Sequence, residues 1–247
     1  MDKTFEQQYH QVEERHWWFR ARREIILNLL ADVDKTAAIL DVGCSAGALI
    51  QYLHTKNFDH IYGIDASETA INLCHQKIIG NIFRMDARKL KWEDKKFDVI
   101  IASDVLEHID EDQTALREWN RVLKTGGILI VFVPAFQFLW SSHDKINHHY
   151  RRYTKSALVK KLADSNFKIC RSSYWNMFLF IPIIFIRCIQ KITTHKTENK
   201  MGDVYLINPC LNTIFLYLLK FEHWLLKRIN FYWGVSVFAV ARKVDGP

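Results

Sequence analysis

Between residues 37 and 133, short apolar runs alternate with segments whose apolar residues recur at helical spacing. The runs are residues 37–42, 60–64, 81–85, 97–102 and 128–133, and the predicted helices between them are 46–54, 67–77 and 111–123. Apolar runs without polar alternation favour strands buried on both faces, as in a parallel sheet covered by helices. In an open sheet of this kind, ligands bind beyond the carboxyl ends of the strands. The residues that follow each predicted strand are therefore the first candidates for a functional site.

Helix-capping and turn residues support these boundaries. Ser67 is a predicted N-cap, and Thr125-Gly126-Gly127 is predicted to close the helix at 111–123. Further along, a helix over 154–164, a strand over 167–174 and a last strand over 233–240 continue the pattern. The apolar stretches 177–189 and 204–226 are interrupted by prolines and charges, so we interpret them as amphipathic helices rather than membrane spans.

The predicted fold class is α/β, with a Rossmann-like, seven-stranded, mostly parallel sheet and helices on both faces. Residues 1–36 form a predicted N-terminal helical cover, and residues 37–176 with 231–247 form the core. Residues 177–230 form a predicted amphipathic helical cap, inserted before the last strand. The 247 residues are enough for one such domain.

The cysteine content and the charge indicate the cellular environment and the kind of partner to expect. The five cysteines are scattered without a Cys-x-x-Cys pair, and the N-terminus carries no apolar signal segment, so we expect a reducing cytoplasm. The net charge is +7, and it is unevenly distributed, because residues 141–247 hold 17 Lys and Arg against 6 Asp and Glu. A basic second half predicts an anionic partner such as a membrane surface, a nucleic acid or an acidic substrate, unless it is simply a solvated face.

Polar residues follow four consecutive predicted strands. The first strand leads into a glycine turn with Gly43 and Gly47, whose spacing does not fit the dinucleotide-binding pattern G-x-G-x-x-G. The second ends in Asp65, about twenty residues further on, where a carboxylate can accept from ribose hydroxyls. The third ends in Asp86, and the fourth runs into Ser103-Asp104. Helix capping explains single cases of this kind but not the set, which predicts a nucleoside site.

Five segments carry a family resemblance: Asp41-Val42-Gly43-Cys44-Ser45-Ala46-Gly47, Ile64-Asp65-Ala66-Ser67, Met85-Asp86-Ala87, Phe97-Asp98-Val99-Ile100 with Val105-Leu106-Glu107-His108-Ile109, and Leu123-Lys124-Thr125-Gly126-Gly127-Ile128-Leu129. In this order they resemble the motifs of class I S-adenosylmethionine-dependent methyltransferases, over about residues 37–135. One departure is Ser45, which stands where the middle glycine of the first motif is expected.

The resemblance implies S-adenosylmethionine as the cofactor and assigns roles to residues. The turn from Gly43 to Gly47 would pack against the methionine part, Asp65 would hold the ribose hydroxyls, and Asp86 would hold the adenine amino group. An arginine from segment 17–23 would pair with the methionine carboxylate; Arg20 is included as the site residue, but the resemblance does not distinguish it from Arg22 and Arg23. The implied cofactor-binding residues are Arg20, Asp41, Gly43, Cys44, Ser45, Gly47, Asp65, Ala66, Asp86, Ala87, Ser103 and Asp104.

A dense polar segment follows the fifth strand, near the expected reaction site. His143 and His149 are candidate general bases for an acceptor that must lose a proton. Arg151 and Arg152, followed by Tyr153, are candidates for binding an anionic group of the substrate. The alternative is a loop whose arginines pair with the acidic first half of the chain. The spacing fits no metal motif, so no metal site is predicted.

These observations predict methyl transfer to a small or lipid-like acceptor by in-line displacement. The sequence after the fourth strand lacks the Asn/Asp-Pro-Pro-Tyr pattern of enzymes that methylate base amino groups, and basic residues are interleaved with aliphatic runs. We therefore expect a small-molecule or lipid-linked acceptor, possible docking on an anionic membrane, and no nucleic-acid partner. The alternatives are an RNA or protein methyltransferase and a cofactor-binding module without catalysis.

Overall fold

The computed structural model describes residues 10, 12–77, 80–193 and 207–244. Its strands are β1 (Ile39–Val42), β2 (Ile61–Asp65), β3 (Ile82–Arg84), β4 (Phe97–Ser103), β5 (Leu123–Pro134), β6 (Phe167–Trp175) and β7 (Ser236–Lys243). Its α-helices are α1 (Trp17–Leu29), α2 (Ala48–His54), α3 (Glu68–Gln76), α4 (Asp112–Val122), α5 (Ser142–Ile146), α6 (Lys155–Ala163), α7 (Phe180–Thr193) and α8 (Pro209–Leu226).

The strands form one sheet in the order β3-β2-β1-β4-β5-β7-β6. β1 pairs in parallel with β2 and β4, β2 with β3, and β4 with β5, whereas β7 is antiparallel to β5 and β6. The chain reverses its direction of travel across the sheet between β1 and β4, which creates the crevice where open α/β sheets bind ligands. The predicted Rossmann-like, mostly parallel fold with a helical insertion before the last strand is confirmed.

The central strands explain the unbroken apolar runs. All four residues of β1 are buried, and β4 and β5 contribute Ile100 and Leu129, which are paired in register and fully buried. Helices cover both faces, so neither face of these strands selects polar residues. Each such buried Ile or Leu side chain contributes about 1.5–3 kcal/mol relative to an exposed one.

The predicted closing role of Gly126-Gly127 is wrong. Helix α4 ends at Val122, and Leu123 passes directly into β5, because its fully buried side chain pairs with Phe97. The register then shifts to the pair Val99–Ile128, so the glycines lie in the irregular part of β5 between these two pairs. Gly126 has φ +75°, a conformation in which glycine is favoured.

The cap helix α8 packs against the N-terminal cover. The backbone N–H of Trp17 donates to Asn212 Oδ1 at 2.9 Å, and Lys220 pairs with Glu24 at 2.9 Å. The predicted helix at 204–226 begins at Pro209 in the structure, and residues 204–206 lie outside the described ranges, as do residues 1–9 and 11 of the predicted cover. Among the described residues, none of the helices combines the length and the apolar composition needed to cross a bilayer.

Candidate active site

A cavity of about 630 Å³ lies beyond the carboxyl ends of β1, β2 and β4. Helix α1 forms one side of it, and residues of α5 and α7 form the other. The two ends of the cavity therefore differ: one is bounded by the glycine turn after β1, and the other by the polar segment after β5. Its wall includes the predicted residues Gly43, Ser45, Asp65, Ala66, Asp86, Ala87, Ser103, Asp104, His143, His149 and Arg152.

The glycine turn is shaped by close packing. Gly43 has φ +71°, and a Cβ at this position would lie 2.2 Å from Cγ2 of Val105. Only glycine fits both the conformation and the space. The turn thus brings bare backbone to the cavity wall, as a ligand that packs against the main chain requires.

Ser45 connects this turn to the N-terminal cover. Its φ is +52°, in the left-handed region, and its hydroxyl donates to Glu13 Oε2 at 2.7 Å. His10 Nδ1 lies 2.9 Å from the same hydroxyl oxygen. The serine that departs from the family motif therefore makes polar contacts that a glycine could not make.

Asp65 and Asp86 lie on the wall as predicted, but with different partners. The two carboxylate oxygens of Asp65 accept from the backbone N–H groups of Ser45 and Ser67, at 3.0 and 2.8 Å. These bonds fix the carboxylate beside the glycine turn. Asp86 is half-exposed and accepts a forked pair of hydrogen bonds from Arg88, which keeps the pKa of Asp86 below its usual value. A carboxylate in either position can accept hydrogen bonds from hydroxyl or amino groups.

The structure corrects the choice of Arg20. Arg20 is exposed and lies outside the cavity, whereas Arg22 is buried on its wall and forms an ion pair with Asp104. Two residues along an α-helix are separated by about 200°, so the two arginines occupy opposite sides of α1. Next to Asp104 in the chain is Ser103, whose buried Oγ has no hydrogen-bond partner among the residues that the structure describes.

Three other predicted cofactor residues lie behind the wall. Asp41 and Cys44 line a separate cavity of about 30 Å³ beneath the turn, together with Glu13. Burial, and then the charge of Glu13, raise the pKa of Asp41 well above its usual value, so this side chain favours the protonated state. Gly47 is the N-cap of α2, with φ +80°, and does not line the main cavity. Asp41, Cys44 and Gly47 therefore do not line the main cavity, and their contact with a cofactor stays a prediction.

At the other end of the cavity, His149 is held by a buried carboxylate. His149 Nδ1 lies 2.9 Å from Oδ1 of Asp144, which also accepts from Arg152 Nε at 2.8 Å. Burial alone would raise the pKa of Asp144, but the hydrogen bonds from His149 and Arg152 outweigh it and hold the pKa well below the usual range. His143 also lines the cavity, with its ring 6.0 Å from that of His149 and next to the amide of Asn147.

Arg151 and Tyr153, predicted to bind an anionic group of the substrate, do not lie on the cavity wall. Arg151 forms ion pairs with Asp110 and Asp112, both at 3.0 Å. The buried Tyr153 donates its hydroxyl to Asp112 at 2.9 Å. Arg151 therefore fits the alternative in which this loop pairs with acidic residues of the first half, and Arg152 is committed to Asp144.

Two wall residues were given no role by sequence reasoning. Glu107 is fully buried, which raises its pKa to about 8, and within the described part of the chain neither of its carboxylate oxygens has a hydrogen-bond partner. His108 packs edge-on against His149, with ring centroids 4.5 Å apart, and burial followed by the nearby His149 lowers its pKa to about 3. Both belong to the turn Leu106–His108 after β4, and no local spacing links them to His149.

The donor set at the first end of the cavity fits S-adenosylmethionine. A guanidinium and a carboxylate, Arg22 and Asp104, lie side by side, as the carboxylate and ammonium of a methionine group require. The fixed carboxylate of Asp65 suits ribose hydroxyls, and the bare backbone at Gly43 admits close approach. The buried Oγ of Ser103 is a further polar group at that end.

Residues 40–131 match the family model described as a methyltransferase domain. An uncharacterized protein of Methanocaldococcus jannaschii is 34% identical over 154 residues, which cover 61% of this chain and 62% of that protein. A ubiquinone/menaquinone biosynthesis C-methyltransferase of Campylobacter jejuni is 33% identical over 104 residues, which cover 39% of this chain and 44% of that protein. The chain thus spans less than two thirds of the length of either relative.

A solved structure of an S-adenosylmethionine-dependent methyltransferase from Thermotoga maritima has the same fold, with a TM-score of 0.62 and 15% identity. The superposition covers 96% of this chain and 94% of that one. At this identity the likeness concerns the fold alone, but it agrees with the family-model match and with the five motifs in family order. Residues 40–131 are thus similar to methyltransferase domains, and the chain has the fold of S-adenosylmethionine-dependent methyltransferases.

Proposed function

We propose that the protein transfers a methyl group from S-adenosylmethionine to a small, lipid-like acceptor. The observation that carries the proposal is one cavity with two chemically different ends, a cofactor end at Gly43, Asp65 and Arg22 and an acceptor end at His149. When bound, S-adenosylmethionine supplies a methyl group on a sulfonium. The main tasks of the chain are then to hold two molecules in line and to exclude water.

At the cofactor end, Arg22 and Asp104 would hold the methionine carboxylate and ammonium, and Asp65 would hold the ribose. Asp86 with Ala87 would bind the adenine edge. The cover excludes water from this end, because α1 places Trp18 and Phe19 on the cavity wall. The direct test is calorimetry with S-adenosylmethionine. Saturable binding is expected, and a folded protein that binds neither it nor S-adenosylhomocysteine would refute the proposal.

At the acceptor end, we assign to His149 rather than His143 the role of supporting turnover. Its imidazole is fixed by a fully buried carboxylate, whereas His143 lies beside the amide of Asn147. His149→Ala is expected to lower the turnover number while cofactor affinity stays unchanged, with His143→Ala as the matched control from the same cavity. Equal losses in both variants would contradict this assignment.

The lipid-like character of the acceptor is inferred from the surface next to the cavity. Helix α7 contributes Ile183 and Arg187 to the cavity wall, and the same helix exposes apolar side chains. Together with α8 it forms what we call the cap face: Ile181, Phe185, Ile186, Ile189, Leu211, Ile214, Tyr217, Phe221 and Trp224, each about half-exposed or more. An apolar surface of this extent marks an interaction site rather than ordinary protein surface.

The occupant proposed for the cap face is an anionic membrane. Lys227 and Arg228 follow directly after α8, and the guanidinium of Arg228 lies 4.8 Å from the ring of Trp224. Each basic group near an anionic bilayer adds about 1 kcal/mol of attraction. The relative from Campylobacter jejuni is named for quinone biosynthesis, which supports an acceptor that resides in a membrane. Lys196 and Lys200, which lie between α7 and α8 in the sequence, are outside the described ranges.

Flotation with liposomes tests the membrane proposal. Binding is expected to anionic vesicles but not to neutral ones, and to weaken with salt. Phe185→Ser with Phe221→Ser should abolish it, whereas Phe83→Ser, an exposed phenylalanine on β3, should not. Failure to bind, together with a dimer in sedimentation that these substitutions dissociate, would instead assign the cap face to a second copy of the chain.

Methyl transfer is tested with labelled S-adenosylmethionine and isoprenoid phenols, including quinols, presented in anionic vesicles. Label is expected in the organic phase, and structured RNA is expected to stay unlabelled. Cofactor binding without label in any acceptor would favour a binding module without catalysis.

A further inference from the structure

Three potential ligand residues meet at the acceptor end of the cavity. One side-chain atom from each of Glu107, His108 and His149 lies within 4.8 Å of those of the other two. Glu107 is fully buried, yet both of its carboxylate oxygens lack a hydrogen-bond partner among the described residues. A buried carboxylate without partners is costly, because it has lost its hydration without replacement. The wall of the cavity therefore presents a buried carboxyl group whose two oxygens a bound cation would satisfy.

His149 is already held as metal-binding histidines are held. Its Nδ1 faces Oδ1 of Asp144, so Nε2 is the nitrogen left for a further ligand. Asp144 is itself fixed, since it accepts from Arg152 and from the backbone N–H of Ser141. A histidine bonded to a carboxylate through one ring nitrogen, with the other on a metal, is the usual outer shell of a protein metal site.

We propose that Glu107, His108 and His149 bind a divalent transition-metal cation. Two imidazoles and one carboxylate form a known ligand set for Zn²⁺ and for non-haem Fe²⁺. Metal–ligand bonds of about 2.1 Å place neighbouring ligand atoms about 3.4 Å apart. Side-chain movements of about 1 Å would therefore bring the three ligand atoms to metal-binding distances.

The charges around the cluster permit a cation. Two arginines act on Glu107, but each is paired with its own carboxylate, Arg22 with Asp104 and Arg152 with Asp144. Glu107 thus remains as the carboxylate of the cluster that is not committed to an ion pair. The sequence predicted no metal site because the spacing of residues 143–153 fits no motif, and the ligands contributed by the turn after β4 were not considered with them.

Three protein ligands leave coordination positions open, as in catalytic rather than structural sites. Here the role of the cation rests on the proposed methyl transfer, although its binding does not. A cation beside an acceptor hydroxyl stabilises the oxyanion formed when the hydroxyl proton passes to water. The oxyanion then attacks the methyl carbon, the new C–O bond forms as the C–S bond breaks, and the electron pair of that bond stays on sulfur.

The test uses Co²⁺ as a spectroscopic probe on the full chain after removal of metals with a chelator. One equivalent is expected to bind and to give visible d–d absorption. Glu107→Gln and His149→Ala should each weaken Co²⁺ binding at least tenfold, while His143→Ala, beside the cluster but outside it, should bind as the parent protein does. Thermal melts of each variant establish that it is folded.

Calorimetry with S-adenosylmethionine on the same samples separates the two proposals. Absence of stoichiometric Co²⁺ binding, or unchanged Co²⁺ affinity in folded Glu107→Gln and His149→Ala, overturns the cation site. If cofactor binding persists in that case, the methyltransferase proposal stands. If Co²⁺ binds but the cofactor does not, the cation site stands and the proposed function fails.

Discussion

Replacing Arg22 by methionine tests whether Arg22 or Arg20 binds the carboxylate of the cofactor. The side chain of Arg22 is 9% exposed, and that of its partner Asp104 is 23% exposed. Methionine retains much of the volume against Phe19, whose ring centroid lies 5.1 Å from the guanidinium carbon, but removes the charge and the donors. The substitution therefore tests recognition rather than packing.

Two magnitudes follow from this geometry. Loss of a hydrogen bond to a charged group costs about 1.5–3 kcal/mol, which corresponds to S-adenosylmethionine binding about 10- to 150-fold more weakly. Stability should also fall, because Asp104 loses its partner. Breaking a fully buried pair costs about 3–5 kcal/mol and an exposed one less than about 1, so the intermediate exposure of Asp104 places the loss near 2 kcal/mol.

The assay is calorimetry with S-adenosylmethionine, combined with urea unfolding of each variant. Arg20→Met is the matched control, since Arg20 is exposed on the same helix and outside the cavity. Arg22→Lys should bind with intermediate affinity, because a lysine keeps the charge but not the planar fork of donors. Normal affinity in folded Arg22→Met, or an equal loss in Arg20→Met, would refute the assignment and the rotational position of α1.

Three shorter predictions follow from single contacts. Asp65→Ala should weaken cofactor binding by about 1.5–3 kcal/mol in calorimetry, and a folded variant with normal affinity would contradict its ribose role. Gly43→Ala should lower the free energy of unfolding by about 2–4 kcal/mol, because of its positive φ and because the added Cβ would contact Val105. In urea unfolding, adding Val105→Ala should restore the part of this loss that comes from the contact. If nothing is restored, that contact is not a cause of the loss. Burial lowers the pKa of His16 to about 4, so the unfolded chain gains this proton first and stability should fall as pH drops from about 6.5 to 4. His16→Asn, which keeps an acceptor for the N–H of Trp18, should reduce that fall in thermal melts, and an unchanged pH profile would exclude His16 as its source.

The residues at the proposed cofactor end were largely predictable, because the strand that a residue follows determines where that residue lies in the sheet. In a parallel sheet, the residues after successive strands meet at one edge, so Asp65, Asp86 and Asp104 gather there without any knowledge of side-chain packing. Arg22 was missed although the sequence held a signal. It lies at helical spacing from Phe19 and Ile26, both buried, and therefore on the inner face of α1.

The acceptor end was less predictable, because its contacts join distant segments. The turn that carries Glu107 and His108 is separated in sequence from His149 by β5 and α5. The spacing of residues within either segment therefore gives no indication of the contact. Tyr153 and Arg151 illustrate the converse error. Their position after β5 placed them near the site, but Asp112 on α4 holds both from behind the wall.

Ser45 leads to a last prediction, about release of the cofactor. A serine at φ +52° costs about 1–2 kcal/mol relative to a glycine, yet its hydroxyl bonds Glu13 and contacts His10 of the cover. Because the turn and the cover share these contacts, opening the cover requires that they break. Ser45→Gly removes both the strain and the tether. The folded protein should therefore be as stable or more stable in urea, while S-adenosylhomocysteine should dissociate several-fold faster in stopped-flow measurements. Ser45→Ala, which loses the hydroxyl but keeps a Cβ at positive φ, is the matched variant: it should release S-adenosylhomocysteine as fast as Ser45→Gly but be less stable in urea. An unchanged dissociation rate in Ser45→Gly would mean that the cover is held by its packing on α8 instead.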